Sequence, residues 1–280
     1  MDKRTSFEKT DMEAFEPEAK VGLISTINPD GLPHITMITS IQALTPTKLI
    51  WGQFSEGLSK ENVKKNPNTG FLVLTLDKKL WRGKARWTHE EKQGTEYEMF
   101  NNKPMFRYNA YFGIHTVHYM DLIETYGKEN IPAGRIGLAA LFTKFVKSGA
   151  KTALKDPILK PWAQDLFNRL NALKFISHVD NDFPIITPLI QCQASDSRRL
   201  VFSPFAYKKE LNCLKKGEKV AVFGLTMDME DILIRGSFQG FKKYLSIQLG
   251  IIDIEWVYNS MPPIHGQIYP SEELKPVLNF

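Results

Sequence analysis

The apolar positions of this chain come in short blocks separated by turn residues. Residues 21–27 are rich in β-branched side chains and run into the turn Asn28-Pro29-Asp30-Gly31, which predicts a first strand. Isoleucine, methionine and threonine alternate over 34–40, predicting a second, and 48–54 predicts a third. The stretch 59–65 predicts a short helix, capped by Ser59 and ended by Asn66-Pro67. Strands are then expected at 69–76, 80–88 and 110–123. Mostly antiparallel strands joined by short turns, with one or two helices, make a small barrel.

The same order of elements returns from 174 to about 258. Leu49-Ile50-Trp51-Gly52-Gln53-Phe54 is echoed 151 positions later by Leu200-Val201-Phe202-Ser203-Pro204-Phe205. Pro33 and Pro184 share that offset, as do Leu74-Thr75-Leu76 and Leu225-Thr226-Met227. Arg82-Gly83 meets Arg235-Gly236 at 153, and Gly113-Ile114 meets Gly250-Ile251 at 137. Five matches in order argue for a duplicated domain. The chain is therefore expected to hold a first domain at 1–126, a helical connector at 127–173 and a second copy at 174–280. In the connector, Phe142, Phe145 and Val146 lie at helical spacing, as do Trp162, Leu166, Phe167 and Leu170. These faces are expected to pack on the chain's own barrels rather than on a membrane, and across the two copies with Phe142, Phe145, Trp162 and Phe167 as anchors.

Composition narrows the function. A chain of 280 residues with 42% hydrophobic and 24% charged residues is an ordinary globular protein, long enough for two cores. Its two cysteines make no disulfide framework, and the N-terminus lacks the apolar core of a signal peptide, so a cytoplasmic protein is expected. A net charge of +5 suits an anionic small ligand and is too dispersed for nucleic acid. No G-x-G, G-K-[ST] or G-x-S-x-G motif occurs, which excludes the usual dinucleotide, P-loop and hydrolase signatures. The cysteines form no C-x-x-C, and no metal site is expected. His115 and His118, three apart on the strand expected at 110–123, should face opposite sides, one inside and one outside.

The first copy resembles the FMN-binding split β-barrel of the pyridoxamine 5′-phosphate oxidase-like superfamily. The resemblance rests on Gly31-Leu32-Pro33-His34-Ile35-Thr36, on Trp51-Gly52-Gln53-Phe54-Ser55, on the helix from Ser59-Lys60 to Asn66-Pro67, and on Arg82-Gly83. It covers residues 18–125 well and 174–258 weakly. It implies a mainly β (α+β) chain of two tandem split β-barrels with a helical connector. It also implies an FMN cofactor held by Thr36, Thr39, Gly52, Gln53, Phe54, Ser55, Ser59, Lys60 and Arg82. The residues agree independently: a helix start with Ser59 and Lys60 offers free N–H groups, a hydroxyl and a cation to a phosphate, and Gly52 and Gly57 let the backbone approach closely.

Two departures matter. The family often carries Ser-Arg-Lys, with the lysine seven residues before the asparagine; here Ser59 stands in that place and Lys60 is six before Asn66. The C-terminal GQIYPSEELKPVLNF lacks the Arg-Leu-x-Pro segment that grips vitamin B6, so B6 oxidation is not expected. At the offset of 151, Ser59 and Lys60 become Glu210 and Leu211, beside Lys208 and Lys209, so the second copy is expected to be degenerate for flavin. The expected function is an FMN-dependent oxidoreductase acting on a small-molecule substrate or electron donor. The alternative is a non-catalytic carrier or sensor of flavin, deazaflavin or haem. The two copies are expected to pair as an intrachain pseudo-dimer, with a homodimer as the other arrangement.

Overall fold

The computed structural model of the protein describes residues 3–103, 113–153, 156–259 and 266–270. The first sheet is built from β1 (Lys20–Ile27), β2 (Pro33–Met37), β3 (Gln42–Thr45), β4 (Lys48–Gln53), β5 (Asn68–Thr75), β6 (Lys79–Glu91), β7 (Thr116–Thr125) and β8 (Glu129–Asn130). Its order is β2-β1-β5-β6-β7-β4-β3, with β8 against β6, and every neighbour pair in it is antiparallel. Residues from both ends of that path, Ile24, Ile38, Ile41, Leu49 and Trp51, share one buried cluster with Phe71, Val73, Trp81, Met120 and Leu122. The sheet therefore curls round its own core as a split barrel. Three helices accompany it: α1 (Lys9–Phe15), α2 (Leu58–Lys65) and α3 (Thr95–Asn102). The first was not expected from the sequence. Phe7 and Phe15 sit in the barrel core, and the Trp81 indole N–H donates to Asp11 Oδ1 at 2.8 Å.

The second half repeats this plan. Two helices, α4 (Ala133–Val146) and α5 (Pro161–Asn168), precede β9 (Leu173–Asp180), β10 (Phe183–Pro188), β11 (Gln193–Asp196) and β12 (Arg199–Phe202). A four-residue helix, α6 (Lys208–Leu211), leads to β13 (Lys219–Leu225), β14 (Asp231–Tyr244), β15 (Ile247–Asn259) and β16 (Gly266–Tyr269). The order is β10-β9-β13-β14-β15-β12-β11, with β16 against β15. Register repeats as well. Gln42 faces Ile50 as Gln193 faces Val201, and both ladders slip at the same next step. β6 shifts register at Lys84/Ala85 and Trp87/His89, and β14 shifts at Arg235/Gly236 and Phe238/Gly240, each 151 positions on.

These registers correct two of the sequence matches. Arg235-Gly236 occupies the place of Lys84-Ala85, not of Arg82-Gly83. Trp51 faces His118 where Phe202 faces Gly250, so Gly250-Ile251 stands where His118-Tyr119 does, not Gly113-Ile114. Arg-Gly recurs because each bulge crowds the backbone: a Cβ on Gly83 would lie 2.0 Å from the Glu124 carbonyl oxygen, and one on Gly236 would lie 2.1 Å from that of Asp253.

The chain divides into a unit of residues 1–131 with 179–186 and a unit of 132–178 with 187–280. Most of the segment expected as a helical connector, 127–173, falls within the second unit. The tip of the β9–β10 hairpin belongs to the first unit: Asn68 Nδ2 donates to the Asp182 carbonyl at 2.9 Å. The helix faces also differ from expectation. Small residues seat α4, with Ile136, Ala139, Ala140, Thr143 and Val146 buried. Phe142 is 37% and Phe145 73% exposed, and Trp162 is exposed on α5, leaving Phe167 as the buried member of the four expected anchors. The strand expected at 110–123 runs from Thr116 to Thr125; residues 110–112 lie outside the described ones. No helix among the described residues is long and apolar enough to cross a membrane. Both cysteines are free.

Candidate functional site

β4 ends at Gln53, and after a link of four residues the chain enters α2. The helix begins one residue earlier than expected, at Leu58, with the extended Gly57 as its N-cap and no side-chain cap. Ser59 is therefore not a cap. It lies inside the first turn, 2% exposed, and its hydroxyl has no hydrogen-bond partner. Lys60 is 7% exposed. Its Nζ lies 3.5 Å from where a Cβ on Gly57 would stand, so the ammonium folds back over the helix start. Burial pulls its pKa down to about 8, against a smaller upward pull from Glu56. Asn62 Nδ2 donates to Thr26 Oγ1 at 3.0 Å and pins the inner face of α2 to β1.

Beside this turn a polar chain enters the barrel. The Trp87 indole N–H donates to His118 Nδ1 at 3.1 Å, and His118 Nε2 lies 2.7 Å from Gln53 Oε1. An indole only donates, so Nδ1 must accept; the imidazole is neutral, its proton sits on Nε2, and it donates to Gln53. Trp51 stacks on the ring at 3.8 Å and 7°. Burial, with Lys64, Lys60 and His115 adding repulsion, lowers the His118 pKa to about 3. As expected, one of the two histidines is inside and the other outside: His118 is buried, and His115 is exposed, 3.8 Å from Glu56.

Gln53, Ser59 and Lys60 are buried on the two sides of the β4–α2 junction, with Phe54 and Ser55 half-buried in the link between them. Gly52 is held from the neighbouring turn: Ser40 Oγ donates to its carbonyl at 2.8 Å and accepts from its N–H at 3.0 Å, with Thr39 adjacent in that turn. Its lack of a side chain serves Ile114, whose Cδ1 would lie 2.1 Å from an added Cβ, rather than a ligand. Thr36 is buried on β2 opposite Ile24. Arg82 is placed differently. It is bound by Glu129 through two bonds of 2.9 and 3.1 Å and lies over the Tyr126 ring, and no described contact joins it to Ser59 or Lys60.

The second unit lacks this constellation. Pro204 and Gly250 stand at the places of Gln53 and His118, and Phe202 and Phe238 at those of Trp51 and Trp87. A Cβ on Gly250 would lie 2.5 Å from the Phe202 ring, which fills the space. Leu211, at the place of Lys60, is buried in the four-residue α6, too short to present a helix start. Among the described residues no cluster of three or more metal-ligating side chains occurs.

No family model and no curated protein matches the chain. Solved structures resemble it in fold over less than half its length. HupZ of Group A Streptococcus is 13% identical, with a TM-score of 0.36 over 43% of this chain and 93% of that one. An FMN-binding protein of Syntrophomonas wolfei is 14% identical, with 0.34 over 42% and 85%. A NimC/NimA family protein of Clostridium acetobutylicum is 14% identical, with 0.32 over 42% and 85%.

Proposed function

We propose that the protein binds one flavin mononucleotide per chain at the β4–α2 junction of its first barrel and is a flavin-dependent oxidoreductase distinct from the vitamin B6 oxidases. The observation that carries this reading is the pair Ser59 and Lys60. A buried hydroxyl without a partner and the ammonium of a residue that is 7% exposed stand together in the first turn of a helix. Burying a cation costs free energy, and an anion at that helix start repays it. The donor set fits a phosphate: the hydroxyl, the ammonium and the N–H groups of the first turn donate. The order of sequence motifs narrows the phosphate ligand to FMN. When bound, the flavin supplies hydride or electron transfer. The chain's own residues hold its phosphate and keep water out, and the neutral His118 supplies no general acid at pH 7.

Titrating ligand-stripped, full-length protein with FMN should show one site, with riboflavin bound more weakly. Two equivalent sites, or none, would overturn the reading. Reduction of the bound flavin by NADH or NADPH should then be measurable; a flavin that neither nucleotide reduces points to a carrier or sensor.

A further inference from the structure

Resting on the phosphate reading above, we infer that His118, backed by Trp87, is a positioning residue that turns the Gln53 carboxamide so that its NH2 joins Ser59 and Lys60 as a third donor to the ligand's phosphate. An amide side chain presents an acceptor on one edge and a donor on the other. Rotated by half a turn, Gln53 would aim its oxygen at the phosphate and repel it. The relay removes that choice. Trp87 can only donate, which leaves His118 Nδ1 bare at 3.1 Å and puts the proton on Nε2. That proton needs an acceptor, and Gln53 Oε1 supplies it at 2.7 Å. The Trp51 stack fixes the plane of the ring. The Gln53 residue that the relay orients is itself 4% exposed, at the end of β4 next to the link that leads into α2. The repulsion that Lys60 exerts on His118 places the ammonium in the same neighbourhood.

The two units of the chain support the assignment. In the second, Gln53, Trp87 and His118 are replaced by Pro204, Phe238 and Gly250, and Ser59 and Lys60 by Glu210 and Leu211. The relay and the phosphate donors are therefore present together in one barrel and missing together in the other. A relay needed only to fold the barrel would have no reason to disappear with the phosphate donors from a sheet of the same order and register.

The test is calorimetric titration of the full chain with FMN and with riboflavin, in wild type, His118→Phe and His118→Gln. Phenylalanine keeps the stack on Trp51 and donates nothing. Glutamine brings an amide nitrogen to the place of Nε2. The wild type should prefer FMN strongly, His118→Phe should lose roughly tenfold of that preference, and His118→Gln should recover most of it. If the wild type prefers FMN and His118→Phe keeps the whole preference, the positioning role is wrong and the phosphate site stands. If the wild type binds both ligands equally, the phosphate reading falls first. Should His118→Phe fail to fold, nitrogen-15 NMR of the wild-type imidazole decides: a proton on Nε2 is expected, and one on Nδ1 would refute the relay.

Discussion

Replacing Lys60 by methionine is expected to weaken FMN binding tenfold to a hundredfold, leave riboflavin binding unchanged, and raise the stability of the free protein. The first effect is the loss of a charged hydrogen bond to a phosphate, about 1.5–3 kcal/mol, and riboflavin has no phosphate to lose it from. The second follows from burial. The Lys60 ammonium titrates near 8 in the fold against 10.5 in the unfolded chain, so the fold carries a penalty of about 3 kcal/mol for the charge. The sign is fixed by which state holds the proton. Below pH 8 both states are charged and the penalty is complete; it shrinks as pH rises and is gone above 10.5. Methionine keeps the apolar stem and removes the charge, so the variant should gain on the order of 1–3 kcal/mol at pH 7, and the gain should shrink toward pH 10. Urea unfolding at pH 7 and pH 9.5, beside titrations with both ligands, measures all of this. A variant less stable than wild type with unaltered FMN affinity would make Lys60 a packing residue and remove the main support for the site.

The architecture was legible because it is written in short-range patterns. The strand at 48–54 and the helix closed by Asn66-Pro67 need only local signals, and the offset of 151 carried the second sheet with them. The local signals failed where the chain meets a distant part of itself. Ser59 resembles a cap, yet the extended Gly57 takes that position and starts the helix one residue sooner. Arg82-Gly83 and Arg235-Gly236 look equivalent, but each glycine answers local crowding at its own bulge and the registers separate them. Arg82 looked available for a phosphate because nothing near it in sequence shows Glu129, 47 positions away. The α4 face misled by periodicity, since alanines and a threonine seat that helix while its phenylalanines face out. The relay was hidden for the same reason. His118 and Gln53 are 65 residues apart, and only the pairing of β4 with β7 brings them together. The one available sign was that one of His115 and His118 had to point inward.

The stability of the protein should fall by about 2 kcal/mol between pH 7 and pH 5 through His118 alone. The unfolded chain titrates this histidine near 6.5, while in the fold burial, helped by Lys64, Lys60 and His115, lowers it to about 3. Glu90, 3.8 Å from Nδ1, pulls the other way but is itself engaged by Lys64 at 2.9 Å. Between those two values the unfolded chain takes up a proton that the fold refuses. The stabilisation is therefore complete above pH 6.5 and drains away as pH falls toward 3. Geometry gives the same answer. A proton on Nδ1 would face the Trp87 indole N–H across 3.1 Å, donor against donor, so acid must open the relay before it can charge the ring. Urea unfolding of wild type and His118→Gln at pH 7, 6 and 5 isolates this contribution, because every other titrating group is common to both proteins. The two stabilities should converge, or cross, as pH falls, with wild type losing about 2 kcal/mol more than the variant. If wild type and His118→Gln instead run parallel from pH 7 to pH 5, then His118 is charged inside the barrel, Trp87 cannot be donating to it, and the orientation assigned to Gln53 goes with it.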